Sequence, residues 1–334
     1  MARDTSLNLA GVHHVSAISA RIGRSHHFYT RVLGLRPVIR TVNQDDPGMY
    51  HLFFGDGVGS PGSDMTVFDI RGAAREHRGN NSITRTNFRV AGGDTLEWWS
   101  ARLDDLQVAH TSVAERGGRL VLDFDDAEGT PLALVDDGAA GAAHPWDDSP
   151  VPAKRQIRGL GYTELTVPVL APTDRFLVNA LGLGHDRTYA VAASPGHEVH
   201  VYRVGEGGTH AEVHVIVRAD LPRARYGAGG VHHVALRVPA GQDMAEWVAR
   251  LDEAGYVNSG IVDRHYFKST YVREPNHVLF ELATDGPGFE VDGPIDGDRL
   301  SLPPFLEPRR AEIEARLRPL DTEGADAVVR AGSE

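Results

Sequence analysis

The chain repeats itself at long range, and that repeat limits its fold more than any other feature. Phe28-Tyr29-Thr30-Arg31-Val32-Leu33-Gly34-Leu35 returns as Phe176-Leu177-Val178-Asn179-Ala180-Leu181-Gly182-Leu183, 148 positions later. Glu97-Trp98 followed by Arg102-Leu103-Asp104 returns as Glu246-Trp247 followed by Arg250-Leu251-Asp252, the second group again 148 positions on. Self-similarity at a fixed spacing means one structural unit used more than once. The chain therefore reads as two copies of a unit of about 150 residues.

Each copy divides again. Val12 to Ile18 reads as a strand, and a helix from about Ser25 to Leu33 stops at Gly34, because Gly takes the left-handed turn that ends helices. Strand-like runs follow at Arg36–Val42, Met49–Gly55 and Met65–Ile70, with Gly and Pro turns between them. The pattern starts anew at Thr84, Gly159 and Val231, with helices at Thr95–Asp105, Thr173–Ala180 and Asp243–Ala254. The predicted fold class is α+β: four βαβββ modules pairing into two cup-shaped half-barrels. Along the chain, residues 1–150 hold the first pair of modules, 156–300 the second pair, and 301–334 a C-terminal extension. Residues 136–155 are rich in Gly, Ala, Asp and Pro and read as an extended connector. The tail reads as loop, then a short charged helix over 307–317.

Composition narrows the function. With 34 Lys and Arg against 46 Asp and Glu, the net charge is −12, which argues against a nucleic-acid partner. The chain has no Cys, which removes disulfides and thiolate metal sites. It shows neither a signal-peptide run nor the stretch of about 18 apolar residues that a membrane span needs. The expectation is a soluble cytoplasmic protein with no membrane partner. The sequence leaves the oligomeric state open, a homo-oligomer included.

The chemistry concentrates at three places. Gly11-Val12-His13-His14-Val15 and Gly230-Val231-His232-His233-Val234 each open a module with a His-His pair. Near the C-terminal end, Asp263 to Ala283 forms two strands joined by a turn at Glu274-Pro275-Asn276-His277. Its second strand, Val278-Leu279-Phe280-Glu281-Leu282, is apolar except for Glu281. Taken alone, Glu281 is a residue on the polar face of a strand, and either His is an ordinary core or surface histidine. Taken together, two imidazoles and one carboxylate are the ligand set of a non-haem Fe(II) site with open positions. The 148 offset equates His14 with Tyr162 and Arg85 with His233, so only His14 and His233 offer imidazole at the equivalent positions. Strand alternation sends His13 and His232 to the opposite face.

Two further stretches, Tyr266-Phe267-Lys268-Ser269-Thr270-Tyr271-Val272-Arg273-Glu274-Pro275 and Phe280-Glu281-Leu282-Ala283-Thr284-Asp285-Gly286-Pro287-Gly288-Phe289, carry a family resemblance. With Tyr50-His51-Leu52-Phe53-Phe54 and Leu302-Pro303-Pro304-Phe305-Leu306-Glu307-Pro308-Arg309, the chain resembles the vicinal oxygen chelate (glyoxalase/extradiol dioxygenase) superfamily. Within it, the chain is similar to ring-cleaving dioxygenases that act on hydroquinones in aromatic breakdown. The resemblance runs from about Gly11 to Leu320. It implies an Fe(II) enzyme that inserts O2 into a hydroquinone- or catechol-type ring. It also selects the second His of each pair as ligand, so His14, His233 and Glu281 are the expected metal set. Arg264 and Tyr271 are expected to hold the substrate, with His13, His232 and Ser16 beside the ligands. Mn(II) is a second candidate metal, and Zn or Ni can displace iron on purification. Asn276-His277 departs from the Gly-Gly usual in the family's turn and adds a further candidate imidazole, and His265, beside Arg264, stands where the family commonly has Gly. Asp69 in module one matches Glu281 in module four and is a candidate fourth ligand. Two other readings remain: a metal-dependent lyase or isomerase of the glyoxalase type, and a non-catalytic small-molecule binder.

Ligand spacing also predicts the architecture. Metal bonds to nitrogen and oxygen are about 2.0–2.2 Å long, yet His14 and His233 are over 200 residues apart. Modules one and four must therefore form one cup, leaving two and three to form a second, metal-free cup.

Overall fold

The computed structural model describes residues 7–191, 194 and 196–320. Module one comprises β1 (Val12–Ser19), α1 (Ile22–His27), β2 (Arg36–Val42), β3 (Tyr50–Gly55) and β4 (Asp64–Asp69). Module two comprises β5 (Ser82–Val90), α2 (Gly93–Asp105), β6 (Ala114–Arg116), β7 (Arg119–Asp125) and β8 (Pro131–Asp136). Module three comprises β9 (Leu160–Val167), α3 (Leu170–Arg175), β10 (Gly184–Ala190), β11 (Glu198–Arg203) and β12 (Glu212–Val217). Module four comprises β13 (Val231–Val238), α4 (Met244–Glu253), β14 (Val262–Asp263), β15 (Phe267–Arg273) and β16 (Leu279–Pro287). Beyond them lie β17 (Asp296–Leu300) and α5 (Arg310–Arg316).

The repeated octapeptides have one structural job. Both α1 and α3 widen in their last turn into a π-helix, at Phe28–Val32 and Phe176–Ala180. Each then stops at a glycine in the left-handed region, Gly34 with φ 71° and Gly182 with φ 74°. A side chain at Gly34 would also meet Val151 Cγ2 at 2.6 Å. Phe28, Tyr29, Val32 and Leu33 are buried, as are Phe176, Leu177, Ala180 and Leu181, so both helix ends pack into the core. The second repeat needs a correction. By its letters Trp98 matches Trp247, but the fully buried tryptophans are Trp99 and Trp247, 148 apart. Each indole N–H is satisfied, donating to Arg155 O at 2.8 Å and Gln242 Oε1 at 3.1 Å, as buried indoles require.

The strands assemble into two mixed sheets, one of them curled into a half-barrel. One has the order β14-β15-β16-β13-β1-β4-β3-β2-β17, the other β10-β11-β12-β9-β5-β8-β7-β6. Modules one and four therefore share a sheet through the antiparallel β1–β13 pair, and modules two and three share one through β5–β9. Every residue of β1 is buried, because one face meets the helical core and the other lines the cup. Residues 136–155 link β8 to β9 inside the second sheet and are pinned on module one, with Gly57 N donating to His144 O at 2.7 Å. Strand β17 lay in what read as loop. It pairs with β2 at the sheet edge through backbone groups, and its Asp-Gly-Asp-Arg-Leu sequence carries no alternation to betray it. The tail beyond it packs Leu302, Leu306 and Ile313 on Val42.

Each sheet draws strands from both sequence halves. Expressed separately, residues 1–155 and 156–334 should each show no cooperative thermal unfolding and bind no metal. Mixing them should restore both properties. A single half that melts cooperatively would show that the shared sheets are not required.

Candidate metal centre

The site begins with two β-bulges. Along the β1–β13 pair, Val12 faces Leu236 but His14 faces Ala235, so His13 is an extra residue in β1. At the other end Ser16 faces His233 but Ala17 faces Val231, so His232 is the extra residue in β13. A bulge breaks the strict alternation of side chains and re-aims them. His13 and His232 therefore do not turn away from the ligands as alternation predicts. His13 Nδ1 lies 2.9 Å from His14 Nδ1, and His232 Nδ1 lies 2.8 Å from His233 Nδ1.

These contacts set the tautomers on the β1 side. His13 Nε2 lies 3.2 Å from the backbone carbonyl of Thr284, which can only accept, so that nitrogen carries the hydrogen. Burial, then the neighbouring His14, lowers the His13 pKa to about 3, so the ring is neutral and its Nδ1 is bare. His14 must then donate from Nδ1 to His13, which leaves His14 Nε2 bare and facing the cup. A ring nitrogen fixed in this way is the usual support for a metal-binding histidine. His232 is likewise kept neutral by burial and by His233, with its pKa lowered to about 3.

Three donors then converge. His14 Nε2 and His233 Nε2 are 3.3 Å apart. Glu281 Oε2 is 3.2 Å from the first and 2.9 Å from the second. Bonds of about 2.1 Å at right angles place neighbouring ligand atoms about 3 Å apart, so the three atoms fit one face of an octahedron. Glu281 Oε2 is buried and aligned for a hydrogen bond with neither imidazole, an expensive state for a carboxylate oxygen unless a cation receives it. Burial alone would raise the Glu281 pKa, but a proton carried on the facing His14 or His233 nitrogen holds the carboxyl well below its ordinary value of 4.5, and a cation would take that proton's place. The donor set thus fits a metal ion. Among the described residues, no other group brings three such side chains together.

The surroundings fix the triad and shape a binding space. Ser269, buried in β15, donates to Glu281 Oε1. Tyr271 stands directly across the strand pair from Glu281. The donors border a cavity of about 370 Å³ lined by Phe53, Phe68, Phe267 and Tyr271 among others. A dry cavity of about 150 Å³ already accepts benzene, so a substituted ring fits. A larger cleft of about 710 Å³ lies between α1 and the β7–β8 turn, but no donor set converges there.

Other candidates fall elsewhere. Asp69 is bonded by Arg318 and stands apart from the triad, so the geometry gives it no place as a fourth ligand. His277 is exposed at the hairpin tip with φ 69°, and His265 pairs with Asp292 at 2.6 Å; neither imidazole reaches the donors. Arg264 directs Nε at the Tyr271 hydroxyl, 3.1 Å away, and pairs with Asp45 at 3.2 and 3.0 Å. Ser269, Asp45, His51 and Thr66 were not singled out by sequence reasoning. Ser269 was within reach of it, because it lies two residues before Tyr271 and so on the same strand face.

The second cup shows what replaces a metal. Arg85, at the position of His233, pairs with Asp123 at 3.0 Å and Glu164 at 3.4 Å. Tyr162, at the position of His14, stacks on His214 with centroids 3.8 Å apart. Ala133 faces Asn87 where Glu281 faces Ala235, so the carboxylate is missing. Burial alone would raise the Glu164 pKa, but Arg116 and Arg85 hold it below its ordinary 4.5.

Paired βαβββ modules in two mixed sheets are the glyoxalase-type fold. The Glyoxalase/Bleomycin resistance protein/Dioxygenase superfamily pattern matches residues 159–282, and the chain belongs to that superfamily. It is 46% identical over 317 residues to the "Putative ring-cleaving dioxygenase MhqA" of Bacillus subtilis (strain 168), covering 94% of this chain and 100% of that protein. It is 30% identical over 314 residues to the chlorohydroquinone/hydroquinone 1,2-dioxygenase of Sphingobium indicum, covering 91% and 94%. A crystal structure described as a "putative dioxygenase" from Bacillus subtilis superposes with a TM-score of 0.85 at 34% identity, covering 95% and 99%. Glyoxalase I from Zea mays shares the fold, with a TM-score of 0.63 at 14% identity over 82% of this chain and 92% of that one.

Replacing His14, His233 or Glu281 with Ala should abolish stoichiometric metal binding, read by elemental analysis, with the melting temperature of the metal-free protein little changed. Ser269→Ala leaves the ligands but frees the carboxylate, and should weaken metal binding about 10- to 100-fold. In the second cup, Glu164→Gln leaves Arg85 and Arg116 to share Asp123 alone and should cost about 3 kcal/mol in denaturant unfolding. Because the Glu164 pKa is depressed on folding, its contribution is present above 4.5 and is lost as pH falls through its lower folded value. The gap between native protein and Glu164→Gln should therefore narrow in acid.

Proposed function

We propose that this protein is a non-haem Fe(II)-dependent dioxygenase that opens a hydroquinone- or catechol-type ring with O2. The observation that carries the reading is the buried face of His14 Nε2, His233 Nε2 and Glu281 Oε2 at 2.9–3.3 Å, beside an aromatic-lined cavity. Three protein ligands leave up to three positions open on an octahedral ion, enough for a ring oxygen and O2 together. A bound iron would supply electron transfer between ring and oxygen, which protein side chains alone do not.

The chain's own residues do the rest. His14, His233 and Glu281 would hold the ion, and His13 and His232 fix the ligand rings. Two neutral imidazoles and one carboxylate leave a site of about +1 charge, which favours an ionised ring hydroxyl. Phe53, Phe68 and Phe267 exclude water and hold the ring flat. Burial, then Glu281, raises the Tyr271 pKa, so Tyr271 stays a hydroxyl donor. Arg264 donates to the Tyr271 oxygen and leaves its proton for the substrate. With its terminal nitrogens engaged by Asp45, Arg264 acts on the substrate through Tyr271.

The test is oxygen uptake by anaerobically Fe(II)-loaded protein across a panel of catechols and hydroquinones. One O2 should be consumed per ring lost, and metal-free protein should be inactive. Tyr271→Phe should lower kcat about 100-fold with iron retained, and Arg264→Ala should lower it through the same hydroxyl. Turnover of a carbonyl substrate without O2 uptake would assign glyoxalase-type chemistry instead.

A further inference from the structure

We infer that His51, acting through Thr66 and Ser16, is the proton acceptor for the ring hydroxyl that docks beside the triad. The inference rests on the dioxygenase reading above and adds to it residues that lie outside the ligand set. Four polar groups form one continuous line. Ser16 Oγ lies 3.0 Å from His233 Nε2 and 2.7 Å from Thr66 Oγ1, and Thr66 Oγ1 lies 2.8 Å from His51 Nε2. Ser16 and Thr66 are fully buried and sit side by side in the parallel β1–β4 pair.

The line has a built terminus. The His51 ring is held between Phe53 and Phe68, with centroids 4.2 and 4.0 Å away. It borders the cavity, and among the described residues its Nδ1 makes no hydrogen bond. Burial, then the nearby His14 and His233, lowers its pKa well below 6.5. His51 is thus neutral at rest, with its Nε2 set against the Thr66 hydroxyl. Packing alone does not require a histidine between two phenylalanines, nor two hydroxyls leading from it to the donors.

The transfer balances without an oxidant. The ring hydroxyl gives its proton to Ser16 Oγ. Ser16 passes its own hydrogen to Thr66 Oγ1, and Thr66 passes its hydrogen to His51 Nε2. The products are a phenolate and an imidazolium, with both hydroxyls restored. His51 then releases a proton from Nδ1 to the cavity, or returns one along the line to the opened product.

The test uses the full-length protein, loaded with Mn(II) and kept anaerobic so that no turnover occurs. 4-Nitrocatechol, whose ionised form absorbs at longer wavelength, is mixed in by stopped flow in H2O and in D2O. In wild type a fast ionisation phase with a solvent isotope effect is expected. His51→Gln and Thr66→Val should each slow it about 10-fold or more. The double variant should be no slower than either, since both cut one path. Thr66→Ser should retain the fast phase, and added imidazole should restore it in His51→Ala but not in Thr66→Val. Metal content and melting temperature, measured on every variant, separate a cut path from a damaged site. Ionisation at the wild-type rate in His51→Gln and Thr66→Val, with wild type normal, would overturn the relay alone. Failure of wild type to bind or ionise the phenol would overturn the dioxygenase reading and the relay with it.

Discussion

The antiparallel pairing of β1 with β13 is the contact on which the rest of the structure depends. It joins the first and last modules of the chain, closes one sheet around the metal-binding face, and leaves modules two and three to close the other. Its two bulges matter as much as its hydrogen bonds. Each bulge places the first histidine of a pair against the second, so that a neutral ring supports each ligand ring. In a regular ladder the same four histidines would divide between opposite faces, and each ligand would lack its neighbour.

A second constraint is the cost of burying charge. Glu281 lies in the middle of an apolar strand and is fully buried. Its two oxygens meet that cost differently, one through the Ser269 hydroxyl and the other by facing His14 Nε2 and His233 Nε2, where a cation would complete the balance. The second cup meets the same cost without metal. Its Arg85, Arg116, Asp123 and Glu164 neutralise one another, so the interior is filled by ion pairs rather than opened for a ligand. One fold thus supports an open cup whose donors fit a cation and a closed, self-neutralised one.

Much of this was legible in the sequence, because the repeat preserves local chemistry. Phe28 to Leu35 and Phe176 to Leu183 announce two helices that end in the same way, and the structure shows the same π-turn and left-handed glycine in each. The two His-His pairs and Glu281 announced a donor set, and the length of a metal bond required modules one and four to meet. What resisted reading had no local signature. β17 pairs through its backbone, and the mates of Asp69 and Arg264 are Arg318 and Asp45, each more than 200 positions away.

The sequence by itself determined the module count, the order of strands and helices within the modules, the repeat, and the two His-His pairs and Glu281 from which the donor set is drawn. Those follow from periodicity, turn residues and the chemistry of imidazole and carboxylate, all of which act over a few neighbouring residues. Only the tertiary structure decided where His13 and His232 point, which tryptophans are equivalent, and that His51, Thr66 and Ser16 share one line. A bulge is an event in the register between two strands, and register is a property of the pair. The line from His51 to the triad exists because β3, β4, β1 and β13 lie side by side, although they are drawn from opposite ends of the chain.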